Sequence, residues 1–294
     1  SIFKKPKTTH SWNLVKTPLR YPGGKTRAVK HILPLIPEGI PRLCSPFFGG
    51  GSVELAVASR GVEVIGYDKL VPLVWFWQAL CGNNERLAEE ADALRTHHPD
   101  FMLKGEPVRG LVKEDFIKLR EDLRDPSHMF SYEKAAKFYA INRSSFSGAT
   151  FSGGWSKRSS FARFTDSSIA RLRSFNAENF RVDYADFQTS LPWHPRAFLY
   201  LDPPYMLPED AAMLYGQAGA LHAGFDHMAL YNLLSDRSDW VMSYNDCPEV
   251  RDLYCDRKFV TAEWAYGMKN VEWVDGKCVG KKTMGSSSEL LIIG

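Results

Sequence analysis

The chain has 294 residues, 44% hydrophobic and 24% charged, which is the balance of an ordinary globular protein long enough for one α/β sheet with an insertion. A net charge of +3 is too small to imply a partner by itself, and no stretch approaches the roughly 20 apolar residues that span a bilayer. The five cysteines (Cys44, Cys81, Cys247, Cys255 and Cys278) form no CxxC pair, which argues against a disulfide scaffold or a zinc site and fits a reducing cytoplasm.

Charge is unevenly placed. The first 37 residues carry eight Lys or Arg and no acid, and residues 142–173 carry six (Arg143, Lys157, Arg158, Arg163, Arg171, Arg173) against the single acid Asp166. Two basic regions so far apart in sequence can converge on a polyanion, or can remain solvated loops. Residues 1–17 read as a basic tail without the apolar core of a signal peptide. Next comes Arg20-Tyr21-Pro22-Gly23-Gly24-Lys25, ahead of a helix predicted over 26–36. Its glycines and lysine suit contact with a charged ligand group, or form a loop with a solvated lysine.

Residues 42–68 read as strand, glycine loop, helix, strand and acid. The strand is 42–45, the loop 46–51, Ser52 caps a helix over 53–60, Gly61 ends it, and a second strand closes on Asp68. This is a βαβ unit of the kind that holds a nucleoside at its carboxyl edge. Phe47-Phe48-Gly49-Gly50-Gly51 has neither GxGxxG spacing nor a following GKS or GKT, so a dinucleotide or P-loop site is disfavoured. Asp68 stands where an acid reaches ribose hydroxyls, and equally where a turn residue ends a strand. Helical patterns follow at 71–80, 84–97, 114–124 and 132–142. Residues 143–165 lose periodicity and read as a loop or hairpin, before a helix over 167–175 and a strand near 180–183. Sheet signals resume at 197–201, 240–243 and 289–293, with a helix at 226–234. The expected architecture is an open, mostly parallel α/β sheet, residues 18–82 and 176–294, interrupted by a mainly helical insertion, 83–175.

The strand at 197–201 ends in Asp202-Pro203-Pro204-Tyr205. Each proline fixes φ and holds the residue before it extended, so the corner is rigid. It offers a carboxylate, a proline carbonyl and an aromatic ring, a set that suits a flat ring bearing an exocyclic amine. A solvated turn after a core strand is the plain alternative.

Taken in order, Tyr21-Pro22-Gly23-Gly24-Lys25, Pro46-Phe47-Phe48-Gly49-Gly50-Gly51-Ser52, Asn142-Arg143-Ser144-Ser145-Phe146-Ser147-Gly148, Asp202-Pro203-Pro204-Tyr205 and Ser243-Tyr244-Asn245 resemble the motifs of the Dam-type (alpha-class, D12) adenine-specific DNA N6-methyltransferases. The resemblance spans about 18–294 and weakens at 85–130 and 206–225. It implies a Rossmann-like S-adenosylmethionine-dependent methyltransferase sheet with 83–175 as the target-recognition insertion. It further implies transfer of a methyl group to the N6 of an adenine flipped out of double-stranded DNA. Gly23, Gly24 and Lys25 would hold the methionine end of S-adenosylmethionine. Phe47, Gly49 and Gly51 would line its body, Asp68 its ribose, and Asp186-Phe187 its adenine, with Tyr21, Ser52 and Asp202 completing the set. Asp202, Pro203, Pro204 and Tyr205 would be catalytic. Asn142, Arg143, Lys157, Arg158 and Arg163 would contact DNA, with Arg143 the leading phosphate contact. Phe151, Trp155 and Phe161 are candidate wedges, or buried aromatics of the insertion. No metal is implied. A DNA-associated cytoplasmic monomer is expected, and a cognate restriction endonuclease is left open as a partner. Competing readings are a cytosine N4 enzyme, a protein or RNA methyltransferase, and a nucleic-acid-binding protein with a vestigial methyltransferase domain. Aspartate before Pro-Pro-Tyr tilts the choice toward adenine.

Overall fold

The computed structural model describes residues 16–21, 25–124, 129–176, 178–207, 224–262, 269–274, 277–283 and 289–294. Gly23 and Gly24, and nearly all of the N-terminal tail, lie outside the described residues.

Strands β1 (Arg42–Ser45) and β2 (Glu63–Asp68) run parallel, with Leu43 opposite Val64 and Cys44 opposite Ile65. Strand β2 pairs outward with β5 (Phe180–Tyr184), and β1 pairs on its other side with β6 (Phe198–Leu201), which continues to β7 (Trp240–Asn245). All these pairings are parallel. The sheet is completed by β11 (Glu289–Ile293) and β8 (Lys258–Ala262), each antiparallel to its neighbour, giving seven strands in the order β5-β2-β1-β6-β7-β11-β8, while β9 (Lys269–Val274) and β10 (Lys277–Thr283) pair antiparallel with each other outside it. Chain order reverses between β1 and β6, and such a switch point opens a crevice at the carboxyl edge of the strands. The glycine loop leaves β1 and the Asp-Pro-Pro-Tyr corner leaves β6, so both face this crevice.

The strands are apolar on both faces, as a sheet covered on both sides requires. Leu43, Val64, Tyr200, Val241 and Leu291 join one core cluster, and Cys44, Ile65, Leu199, Leu201, Met242, Leu290 and Ile292 join the other. The period-two alternation of a strand thus splits each segment between two hydrophobic layers.

The insertion grows from α3 (Val71–Gly82), whose core positions 72–77, 79 and 80 are all buried. This helix packs on α6 (Tyr132–Ser144), where Phe76 and Tyr139 stack with ring centroids 5.4 Å apart and 7° between planes. Helices α4 (Asn84–Ala93), α5 (Lys113–Asp122), α7 (Lys157–Ala162) and α8 (Asp166–Arg173) surround α6 or one another. The Asn84 amide donates to the carbonyls of Leu172, Arg173 and Phe175, tying the beginning of the insertion to its end.

Three expectations need correction. The helix predicted over 84–97 stops at Ala93, and an antiparallel hairpin, β3 (Thr96–Leu103) with β4 (Glu106–Gly110), follows. Among the eight residues of β3 only Phe101 is buried, so no apolar alternation announces the strand. Residues 143–165, expected as loop or hairpin, contain the helix α7 as well as an isolated antiparallel bridge between Ser145 and Trp155. The helix predicted over 26–36 is broken into a 3-10 turn at Lys25–Arg27, α1 (Val29–Ile32) and a second 3-10 turn carrying Pro34, a residue without an N–H to continue a helix. The edge strand β8 was also unforeseen. Among the described residues, no helix is long and apolar enough to cross a membrane.

Candidate active site

A cavity of about 800 Å³ opens at the carboxyl edge, within the size range of small-molecule sites. One wall is the glycine loop. Gly51 has φ +68°, and a Cβ there would lie 2.8 Å from the Phe48 ring. A Cβ on Gly50 would lie 2.8 Å from Tyr21 Cβ, so the chain at Tyr21 lies directly over the loop. Glycine is therefore required by close approach as well as by conformation. The Phe48 ring in turn occupies the space above Gly66 of β2, where a Cβ would come within 2.0 Å of it.

Asp68 ends β2 beside this loop. Its carboxylate accepts from the Gly49 N–H (2.9 Å) and the Leu70 N–H (2.9 Å). Burial raises its pKa, and these backbone bonds oppose the rise. The arrangement orients a carboxylate toward the cavity with lone pairs for the two hydroxyls of a ribose. Beyond it, Phe47, Phe187 and Phe225 form an aromatic trio, with ring centroids 5.6 Å apart for Phe47–Phe187 and Phe47–Phe225 and 5.0 Å for Phe187–Phe225. Phe187 begins α9 (Phe187–Ser190), whose N-cap Asp186 accepts from the Gln188 N–H at 2.8 Å and pairs with Lys69 at 3.1 Å. Phe225 and Lys69 were not foreseen. An isolated aromatic or lysine in a loop carries no sequence signal until the fold assembles its neighbours.

Across the switch point, Asp202 sits at the cavity wall with 26% of its side chain exposed. Lys25 Nζ lies 3.1 Å from its Oδ1 and pairs also with Glu289 Oε1. Lys25 is therefore placed against the acidic corner. Burial pushes the Asp202 carboxyl up to about 6, Lys25 pulls it down, and the charge of Glu289 pushes it up again. The Tyr205 hydroxyl donates to Glu289 Oε1 at 2.8 Å, and Lys25 Nζ is 5.3 Å from the centre of the Tyr205 ring. Asn245 ends β7 and fixes the next residue at two points: its Oδ1 accepts from the Met206 N–H (2.8 Å) and its Nδ2 donates to the Met206 carbonyl (3.0 Å). Glu54 of α2 (Ser52–Ala58) was also unforeseen. It is buried at the cavity wall, accepts from the Ser45 hydroxyl at 2.6 Å, and is pushed up to about 8 by burial. Ser52 lines the same cavity, and its hydroxyl bonds with that of Thr26 at 3.2 Å.

The residues expected on DNA divide sharply. Lys157, Arg158 and Arg163 are exposed, with Lys157 paired to Asp100 at 3.0 Å. Asn142 and Arg143 are buried, which corrects the expectation that Arg143 leads the phosphate contacts. Asn142 Oδ1 accepts from the Arg20 N–H (2.9 Å) and its Nδ2 donates to the Arg20 carbonyl (2.5 Å), as a neighbouring strand would. Arg143 Nε donates to the Arg163 carbonyl (2.7 Å) and Nη1 to the Pro18 carbonyl (3.3 Å). A buried guanidinium satisfied by backbone carbonyls is spent on architecture. Burial lowers it to about 10, assisted by the charges of Arg171, Arg20 and Arg163, and Arg20 of the first basic region donates to the carbonyls of Arg143 and Ser145 in the second. Trp155 donates to the Leu111 carbonyl (2.9 Å), and Phe151 and Phe161 pack on Phe138 and Phe101. Phe146 instead is 63% exposed, beside Ser147 at φ 53°.

A doubly wound sheet with a buried strand-end carboxylate, an aromatic cluster and an acid-bearing Pro-Pro-Tyr corner in one crevice is the arrangement of a methyltransferase that acts on an exocyclic amine with a nucleoside cofactor. Residues 21–268 match the model of the D12 class N6 adenine-specific DNA methyltransferases, and the chain belongs to that family. It is an adenine-specific DNA methyltransferase that uses S-adenosylmethionine. The chain is also similar to the type II methyltransferase M1.LlaDCHI of Lactococcus lactis subsp. cremoris, with 25% identity over 256 residues, 81% of this chain and 84% of that protein. The cavity fits the cofactor: a carboxylate for a ribose, three aromatic rings for a purine and a loop that admits no side chain for close backbone approach.

Proposed function

We propose that Asp202 and the Pro203 carbonyl accept the two N6 hydrogens of an adenine swung out of duplex DNA, while Tyr205 stacks on its ring. An aromatic amine is a poor nucleophile because its lone pair is delocalised. Acceptors on both hydrogens favour a pyramidal nitrogen with the lone pair free to attack. Asp202 must be ionised to accept, and it takes no proton until the amine has become acidic on alkylation. When bound, S-adenosylmethionine supplies an electrophilic methyl carbon on a sulfonium. In this reading Asp68 holds its ribose, Phe47 and Phe187 with Asp186 its adenine, and the loop of Gly49 and Gly51, with Tyr21 and Ser52, the rest. Lys25 serves the acidic corner as well as the cofactor. The observation that carries the reading is Asp202 at the cavity wall, ion-paired with Lys25, across the switch point from Asp68.

The insertion 83–175 would hold the target sequence. Exposed Lys157, Arg158 and Arg163 supply phosphate contacts, and Phe146 enters the space the base leaves. The protein is read as acting in the cytoplasm as a monomer on DNA. The type II designation of the Lactococcus relative supports a cognate restriction endonuclease as a partner. The test is incubation with labelled S-adenosylmethionine and mixed duplex DNA, followed by mapping of the modified bases. N6-methyladenine at one short site is expected, and label at cytosine N4 would overturn the reading.

A further inference from the structure

Glu289 is the acid at the centre of the catalytic corner, yet it comes from the last strand of the sheet, 84 residues after Tyr205. Strand β11 runs antiparallel to β7, so its first residue lies at the same edge where β6 and β7 end. Glu289 is paired in register with Asn245. These two neighbours grip consecutive residues of the corner: Asn245 takes both backbone groups of Met206, and Glu289 takes the Tyr205 hydroxyl. Glu289 is 1% exposed. Burying a carboxylate is costly unless donors converge on it. Here Lys25 Nζ, the Tyr205 hydroxyl and the Ser243 hydroxyl (2.8 Å) all converge on Oε1. An isolated acid opening an otherwise apolar strand, Glu289-Leu290-Leu291-Ile292-Ile293, would have no packing reason to be buried.

We propose that Glu289 is a positioning residue for methyl transfer: it anchors the Tyr205 ring by its hydroxyl and holds the Lys25 ammonium against Asp202 before the base arrives. The proposal rests on the reading of Tyr205 as the stacking platform. A phenyl ring held only by packing can swing about χ1, whereas a hydroxyl held 2.8 Å from a buried carboxylate fixes the position of the ring, and the preference of a phenolic O–H for the ring plane biases its tilt toward the incoming base. Lys25 is shared between two carboxylates, so its place beside Asp202 depends on Glu289 opposite.

The test is a double-mutant cycle of Tyr205→Phe and Glu289→Gln on the full chain, read by single-turnover methylation of the mapped duplex site. Melting temperature and S-adenosylmethionine affinity are followed as controls. Glutamine keeps an acceptor oxygen but loses the charge, and phenylalanine keeps the ring but loses the anchor. Each single variant is expected to slow methyl transfer by about ten- to a hundredfold, the scale of one charge-assisted hydrogen bond. The double variant should be little slower than the worse single one, because both weaken the same charge-assisted Tyr205–Glu289 hydrogen bond. Duplex carrying 2-aminopurine at the target position gives a second readout without chemistry. Its emission on binding should be higher in Tyr205→Phe and Glu289→Gln than in the wild type, as the flipped base stacks less firmly. A pH profile gives a third. Asp202 faces Lys25, Glu289, Glu54 and Tyr21, and losing the Glu289 charge should move the acid limb of the rate to lower pH. Effects that multiply in the double variant, with an unmoved acid limb, would overturn the proposal. Unimpaired activity in Tyr205→Ala would overturn both the stacking reading and the proposal, whereas an inactive Tyr205→Ala with a multiplicative cycle would overturn the proposal alone.

Discussion

The Asp202-Pro203-Pro204-Tyr205 corner and the Asn142-Arg143 segment are both short polar motifs with an apparent chemical purpose, but they are used in opposite ways. Asp202 keeps part of its carboxylate exposed to a cavity, with a lysine beside it. Asn142 and Arg143 direct their polar groups at backbone atoms of Arg20, Arg163 and Pro18. The first motif presents hydrogen-bonding capacity to the cavity. The second uses its capacity to hold the segment that carries Tyr21 over the glycine loop. A charged residue in a motif shows its function by where its last free lone pair or N–H points.

The largest effect expected away from Asp202 tests this division. Asn142→Ala removes the side-chain partner of the half-buried N–H and carbonyl of Arg20, a loss of about 1–3 kcal/mol of stability. Thermal melting should show it, with S-adenosylmethionine affinity falling as the segment over the loop loosens. Unchanged melting and affinity would remove the architectural role. Next, methyl transfer should fall about tenfold per pH unit below about pH 6, as Asp202 takes a proton and loses its acceptor capacity. Lys25 depresses that pKa, so Lys25→Ala should shift the acid limb to higher pH, and single-turnover rates against pH would show the direction. A third comparison concerns DNA. Lys157→Ala and Arg158→Ala should each reduce the slope of log affinity against log salt by about one, whereas Arg143→Ala should lower stability and leave the slope unchanged. Equal slopes for all three would return Arg143 to the phosphate interface.

The last comparison concerns Glu54, whose effect depends on pH. Its folded pKa, about 8, lies above the ordinary value of 4.5, so its contribution to stability is fully present below pH 4.5 and is lost as pH rises through 8. Glu54→Gln should therefore gain relative to the wild type between those values, by roughly 2–4 °C in melting temperature per kcal/mol recovered. A difference independent of pH would contradict that account.

The sheet was largely legible because its strands alternate between two apolar layers and its glycine loop, Asp68 and Asp-Pro-Pro-Tyr fall at strand ends, where backbone geometry imposes a recognisable sequence. The hairpin at 96–110 was illegible because a strand with one buried side chain has no periodicity to read. Glu289 escaped for a different reason. Its partners, Lys25, Tyr205 and Ser243, come from the other end of the chain, the loop after β6 and the interior of β7, and only strand order brings them together. Arg143 was legible as a motif residue, but whether its guanidinium points in or out depends on the course of residues 18–21, which no local pattern encodes.

The central claim is that the Asp202 carboxylate accepts the target amine. The most direct measurement is single-turnover methylation of the mapped duplex site by Asp202→Ala, with cofactor binding measured on the same preparation. The rate should fall by at least about a thousandfold while S-adenosylmethionine binds within a few-fold of the wild type. Methylation at an undiminished rate would contradict the claim.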